Sequence, residues 1–92
     1  MRSADRIAVT VREAGSDHLA EVTVHGQPTT IHLVRVSRAE CERYGGGDVA
    51  DLVHRSFEFL LAREANTSIL REFDLSEIER YFPEYAREFG RS

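Results

Sequence analysis

Apolar and polar residues alternate along residues 6–13 and again along residues 19–25, with a Gly-Ser-Asp turn between the two runs. Alternation of this kind predicts two half-buried strands joined as a β-hairpin. If Glu13 faces His18, the apolar side chains of both strands fall on one face of the hairpin. The facing pairs are then Val11 with Ala20, Val9 with Val22 and Ile7 with Val24.

A third β-rich run covers residues 29–36, and its apolar residues point to both faces. Ile31 and Leu33 lie on one face, Val34 and Val36 on the other. Pairing His25 with Thr30 would bury the first two and leave His32 in solvent, which is the register we prefer. A slip of one residue would bury the other two together with His32, and a bulge would serve both sets. The pattern leaves the register of this strand open.

The period changes at Ser37, where Ser37 and Glu40 have the spacing of a capping box. This spacing predicts a short helix that runs to about Tyr44 and stops at the triple glycine of residues 45–47. A glycine run before a helix can hold phosphate, but no lysine follows here and Asp48 brings negative charge. We therefore interpret the run as a helix stop.

Asp48 and Asp51 predict the start of the main helix. Its apolar stripe repeats at intervals of three and four and indicates a helix that ends near Asn66. The stripe consists of Val49, Leu52, Val53, Phe57, Leu60 and Leu61.

The last third of the chain predicts further helical segments. Thr67 would begin a one-turn helix through Phe73, and the Asp74–Glu77 spacing would begin a longer one. Proline at position 83 has no N–H to donate, so we expect a bend at this point and a second helical segment that starts with Pro83.

These elements predict an α+β fold in a single domain of residues 1–92. Residues 5–36 would form a three-stranded antiparallel β-meander. Residues 37–92 would form the helical part: a short helix, a long amphipathic helix and a proline-kinked C-terminal segment packed on the sheet.

Charge and composition narrow the function classes. All 12 basic residues are arginine, which excludes lysine-dependent chemistry such as Schiff-base formation. The net charge of −4 lies in residues 37–92, so we expect no nucleic-acid partner. No apolar run is long enough to cross a membrane, and a single cysteine is typical of a cytoplasmic protein.

Candidate chemical residues do not form a recognisable site. His18, His25 and His32 recur every seven residues, but no cysteine or suitably placed carboxylate accompanies them, so we expect no metal. His54 lies among charged residues and is expected in solvent. Cys41 stands between two glutamates, unlike the electropositive sites of reactive cysteines, and is interpreted as a packing residue. We predict no catalytic residue and no cofactor.

Four aromatic residues of the C-terminal segment are the strongest candidates for a functional surface. Their amphipathic spacing is typical of a core, whereas tyrosine and arginine together are typical of an interface. The predicted interface residues are Tyr81, Phe82, Tyr85 and Phe89.

Residues 56–85 resemble the C-terminal signature of a family of short bacterial proteins. The matching pieces are SFEFLL at 56–61, SIL at 68–70, FDL at 73–75 and RYFPEY at 80–85. The resemblance implies a β-rich N-terminal third, a helix and a terminal RYFPEY-like segment. Since that family is functionally uncharacterised, it implies no activity, cofactor or site residue.

The favoured hypothesis is a non-catalytic interaction or accessory protein. It would bind a protein partner or form a homodimer through the aromatic segment or an open sheet edge. The alternative is a ligand-binding or enzymatic domain with a pocket between sheet and helices, near His32 or Tyr81. A nucleic-acid regulator ranks third, because it would need the arginines gathered on one surface.

Overall fold

The computed structural model describes residues 6–45 and 48–89, which form a mixed sheet with helices on one face. The strands are β1 Ile7–Ala14, β2 Asp17–Val24, β3 Thr30–Val36 and β4 Glu72–Asp74. The helices are α1 Arg38–Glu40, continued by the wider π-type turn Cys41–Gly45, then α2 Val49–Leu61, α3 Ser76–Tyr81 and α4 Glu84–Phe89. A 3-10 turn, Asn66–Ser68, follows α2. The α+β class is confirmed.

The predicted hairpin forms with the predicted register. Glu13 faces His18, and the pairing continues by one more residue pair, Ala14 with Asp17. The connection is therefore a two-residue turn in which Gly15 has a φ of +69°. A positive φ at the first turn position is characteristic of a type II′ turn, whose twist matches that of the flanking strands.

The preferred register of β3 is wrong, and the one-residue slip is what the structure contains. Val22 faces His32 and Val24 faces Thr30, without a bulge along the pairing. Val34 and Val36 are consequently buried beside β2, while Ile31 lies on the open face of the sheet. The slip buries two valines and leaves Ile31 exposed and Leu33 half-buried on the opposite face, and it requires hydrogen-bond partners for the buried histidine ring.

Those partners come from segments on either side of β3. The Nδ1 atom of His32 lies 2.7 Å from the carbonyl oxygen of Leu70, and Nε2 lies 2.9 Å from the hydroxyl of Thr30. A carbonyl only accepts, so Nδ1 carries the proton and Thr30 donates to Nε2. The amide of Asn66 donates in turn to Thr30 and to the carbonyl of Pro28, each at 2.9 Å. Every polar atom of the ring is thus satisfied inside the core.

The sheet has a fourth strand that the sequence did not predict. The expected helix through Phe73 is wrong, since only the 3-10 turn Asn66–Ser68 is helical and residues 72–74 pair with β3 in parallel. Leu33 donates to the carbonyl of Arg71 at 2.7 Å, and Leu75 donates to that of Arg35 at 2.9 Å. The extended conformation directs Phe73 into the core, 6.1 Å from the ring of Phe57.

The helix starts at Ser37 and Asp48 agree with the sequence, whereas α3 begins at Ser76 with Leu75, not Asp74, as its N-cap. Ser37 and Glu40 form the complete capping box, and the Asp48 side chain accepts from the backbone of Asp51. The predicted glycine stop covers residues 45–47: Gly45 is the last residue of the π-type turn, and residues 46 and 47 lie outside the described residues, as does residue 5, the first of the predicted sheet.

One of the two helix boundaries predicted in the second half of the chain differs from the structure. Helix α2 ends at Leu61 rather than near Asn66, because the chain turns extended at Ala65 so that the Asn66 amide can reach Thr30. The predicted bend is confirmed, with α4 starting one residue after Pro83.

The register of β3 makes a stability prediction. Replacing His32 with alanine leaves a cavity and an unpaired carbonyl at Leu70, so we expect the free energy of unfolding to fall by about 3 kcal/mol. The neighbouring side chain of Ile31 is 51% exposed, and Ile31→Ala should cost below about 1 kcal/mol. Urea denaturation of both variants measures the difference. A larger loss for Ile31→Ala would contradict the observed register.

Candidate functional site

The four aromatic residues singled out in the sequence occupy different environments. Tyr85 is 0% exposed and belongs to the core of the chain. Phe82 and Phe89 are half-buried and contact the ring of Phe59, each with a centroid separation of 5.9 Å. Tyr81 is 68% exposed. Of the predicted interface, Tyr81 and the outer parts of the two phenylalanines therefore remain accessible to a partner.

The hydroxyl of Tyr85 is held by α2. Ser56 donates its hydroxyl proton to the carbonyl of Leu52 at 2.7 Å, so its oxygen accepts from the Tyr85 hydroxyl, also at 2.7 Å. The ring of Tyr85 stacks on Phe89 at 4.3 Å and meets the edge of Phe59 at 5.3 Å. Through these contacts α4 packs against α2.

This geometry predicts that Tyr85 acts on stability rather than on association. Tyr85→Phe removes one buried hydrogen bond and keeps the ring, so unfolding should become easier by about 1 kcal/mol, independent of protein concentration. Ser56→Ala and the double variant complete a mutant cycle, measured by urea denaturation, in which we expect a clear coupling energy. Additive effects of the two substitutions would contradict the hydrogen bond.

Arg63, just past the end of α2, also joins the two helices. Its guanidinium lies 3.6 Å from the centroid of the Phe59 ring, and it forms ion pairs with Glu84 at 3.2 Å and Glu88 at 3.7 Å. A backbone hydrogen bond at the start of α4 lowers the pKa of the Glu84 carboxyl, and the hydrogen bond from Arg63 lowers it further. The contact is largely exposed and serves mainly to orient α4.

Replacing Arg63 with glutamine should raise the pKa of Glu84 toward its ordinary value. The native pKa is lowered, so this contribution to stability is present above pH 4.5 and is lost as the pH falls through the folded-state pKa. An NMR titration of the Glu84 carboxyl in both proteins measures the shift, with Arg87→Gln as a control that should change it less. An unchanged pKa in Arg63→Gln would contradict the pairing.

A groove opens between the end of α2, the segment that precedes β4, and α3. It has a volume of about 190 Å³, and we call it the Tyr81 groove. Its lining includes the buried side chains of Ile69 and Ile78 and the exposed side chains of Leu70 and Tyr81. Leu70 is 51% exposed although it is apolar. The groove thus has a buried apolar floor and solvent-exposed apolar side chains at its rim.

The charge of the Tyr81 groove has one sign. Among the residues that the structure describes, Glu64 and Glu77 are its charged lining residues, and no arginine lines it. One carboxylate oxygen of Glu77 accepts from the backbone N–H of Asp74 at 3.3 Å, which fixes that side chain at the start of α3. The groove is therefore apolar inside and acidic at its edge.

The sequence pointed to Tyr81 and Phe82 and missed the rest of the groove. Ile69 and Leu70 are adjacent apolar residues, and in an extended segment adjacent side chains point to opposite sides. That signal would have placed one of them in solvent, but the expected helix through Phe73 concealed it.

The histidines do not come together. His25 is exposed, whereas His32 is buried and faces the helices, so the expected position of His32 in solvent is wrong. His54 is half-buried and lies 3.8 Å from a carboxylate oxygen of Glu58. Cys41 is buried. Residues 6–45 and 48–89 contain no group of three His, Cys, Asp or Glu side chains arranged to hold a metal ion.

Within these same ranges, no helix has the length and apolar character that crossing a bilayer requires. A scan against protein-family models and searches of curated proteins and of solved structures gave no match. Conclusions about function therefore rest on the geometry of this chain.

Proposed function

We propose that the protein is a non-catalytic interaction module that binds a peptide segment of a partner protein in the Tyr81 groove. The observation that carries this proposal is the exposure of two large apolar side chains, Leu70 at 51% and Tyr81 at 68%, above a floor that includes Ile69 and Ile78. Exposed apolar side chains gathered at a concave site are typical of interaction surfaces, and tyrosine is enriched there.

The size of the groove favours a peptide side chain over a small-molecule cofactor. Its volume of about 190 Å³ is smaller than the roughly 300–1,000 Å³ of pockets that enclose drug-sized ligands. A space of this size accommodates one or two side chains of an extended segment. The remaining contact area would come from Tyr81 and Leu70 at the rim.

The charge of the groove defines the chemistry of the segment. Glu64 and Glu77 stand at the edge of a lining that is mainly apolar, with Ser68 as a small polar residue, so an apolar anchor residue flanked by arginine or lysine is complementary. Charges at such an edge contribute mainly to specificity and to the rate of association, while the buried anchor contributes most of the affinity.

An NMR titration of isotope-labelled protein tests this proposal. The probes are the capped peptide Gly-Arg-Phe-Arg-Gly, a second peptide with alanine in place of phenylalanine, and a third with glutamate in place of arginine. We expect the first peptide to shift the amide signals of Leu70, Ile78 and Tyr81, and the other two to bind at least several-fold more weakly.

Two equally exposed apolar residues provide a matched control. Leu70 and Ile31 are each 51% exposed, but only Leu70 lines the groove. Leu70→Ala should weaken binding of the first peptide, and Ile31→Ala should leave it unchanged. Equal binding of all three peptides, or signal shifts away from the groove, would overturn the proposal. Saturable binding of a small uncharged apolar probe, without peptide binding, would favour a small-ligand-binding domain at the same site.

A further inference from the structure

Strand β1 forms one edge of the sheet and is paired with β2 on its other side. The carbonyl of Arg6 accepts from the N–H of His25 at 2.7 Å, and this bond fixes the alternation along the strand. Even-numbered residues turn their backbone groups toward β2. Odd-numbered residues, among them Val9, Val11 and Glu13, turn theirs toward the open edge.

The backbone groups that these three residues direct outward have no partner within residues 6–45 and 48–89. Sheet edges are commonly guarded by a bulge, a proline, a lysine or a very short strand. The eight residues of β1 pair with β2 without a bulge and include no proline or lysine. Charged side chains can also guard an edge, and those of β1, Arg12 and Glu13, lie near its C-terminal end. The opposite edge is guarded, because β4 has only three residues.

We propose that a second copy of this chain pairs with β1 in antiparallel orientation and forms a symmetric homodimer. A strand is complementary to itself in this way when its donors and acceptors alternate along an unbroken edge, as they do here. Val9 and Val11 are only half-buried on the helix side, so the added strand would also cover apolar surface that the single chain leaves accessible.

Symmetry and charge select the register. A two-fold axis requires one residue to face itself, and an axis at Val11 sets Val9 opposite Glu13 of the second copy. This register pairs all three outward-facing residues with one another, and it sets Arg12 opposite Thr10. An axis at Thr10 would pair Val9 with Val11 but leave Glu13 opposite Ile7. An axis at Val9 would bring Arg12 opposite Arg6, which like charges disfavour.

This inference goes beyond the proposed function and stands on the edge of β1 alone. No residue of β1 lines the Tyr81 groove. An axis perpendicular to the sheet keeps the helices of both copies on one side and yields an eight-stranded sheet. The dimer would present two grooves, one from each copy, and each would remain open to its own peptide.

Sedimentation equilibrium and amide hydrogen exchange test the interface together. We expect twice the chain mass of 10.5 kDa at high concentration, with slow exchange at Val9, Val11 and Glu13 that becomes fast on dilution. The amides of Thr10 and Arg12, bonded to β2, should stay protected in both conditions. A monomer at millimolar concentration overturns the proposal, and so does a dimer in which the outward amides remain unprotected.

Two lysine substitutions test the register. Thr10 and Ala8 are both exposed, lie on the same face of β1 and are not part of the core. Thr10→Lys would place lysine opposite Arg12 twice in the dimer and should raise its dissociation constant about fivefold. Ala8→Lys faces only Ala14 in this register and should change it little. An equal or larger effect of Ala8→Lys overturns the register, and groove binding by either variant is expected to be unaffected.

Discussion

The burial of one histidine ring between sheet and helices is the constraint on which the remaining structure depends. A ring nitrogen without a hydrogen bond in the core would be strongly destabilising, so the position requires a carbonyl on one side and a hydroxyl on the other. Leu70 and Thr30 supply them. Because side chains alternate along a strand, the inward position of His32 fixes the face of all the remaining residues of β3. Val34 and Val36 share the face of His32, and the helices cover that face.

The bend at Pro83 divides the C-terminal aromatic residues between core and surface. On one side, Tyr85 inserts its ring against α2 and uses its hydroxyl there. On the other, Tyr81 stands on α3 with its ring in solvent. A single amphipathic row in the sequence is thus divided between two helices: α3 buries Ile78 and leaves Tyr81 exposed, whereas α4 buries Tyr85. The core interpretation of this segment is correct for Tyr85, and Tyr81 is exposed.

Local signals in the sequence were sufficient for the hairpin, the helix starts at Ser37 and Asp48, and the proline bend. Each of these depends on residues within a few positions of one another, where propensity and spacing act directly. The register of β3 could not be predicted, because histidine is polar by composition and its burial depends on a carbonyl 38 residues away along the chain.

Strand β4 was hidden for a related reason. Three residues are too few to show an alternation, and the strand exists only because β3 offers an edge beside it. The Tyr81 groove could not be predicted for the same reason, since the position of Leu70 in its lining depends on strand β4, which follows it. Sequence reasoning found the aromatic end of the groove and not its acidic edge.

The Tyr81 groove is assembled from three segments that are separate in sequence: the end of α2, residues 68–70, and α3. All the lining residues lie within residues 60–82, but Phe73 is held by its pairing with β3, so the groove requires the folded sheet as well as these segments. A peptide that occupies the groove therefore recognises the native conformation alone. By mass action, a concentration one hundred times its dissociation constant would add about 2.7 kcal/mol to the stability of this small domain. Occupancy would in this way shift the folding equilibrium of the chain toward the native state.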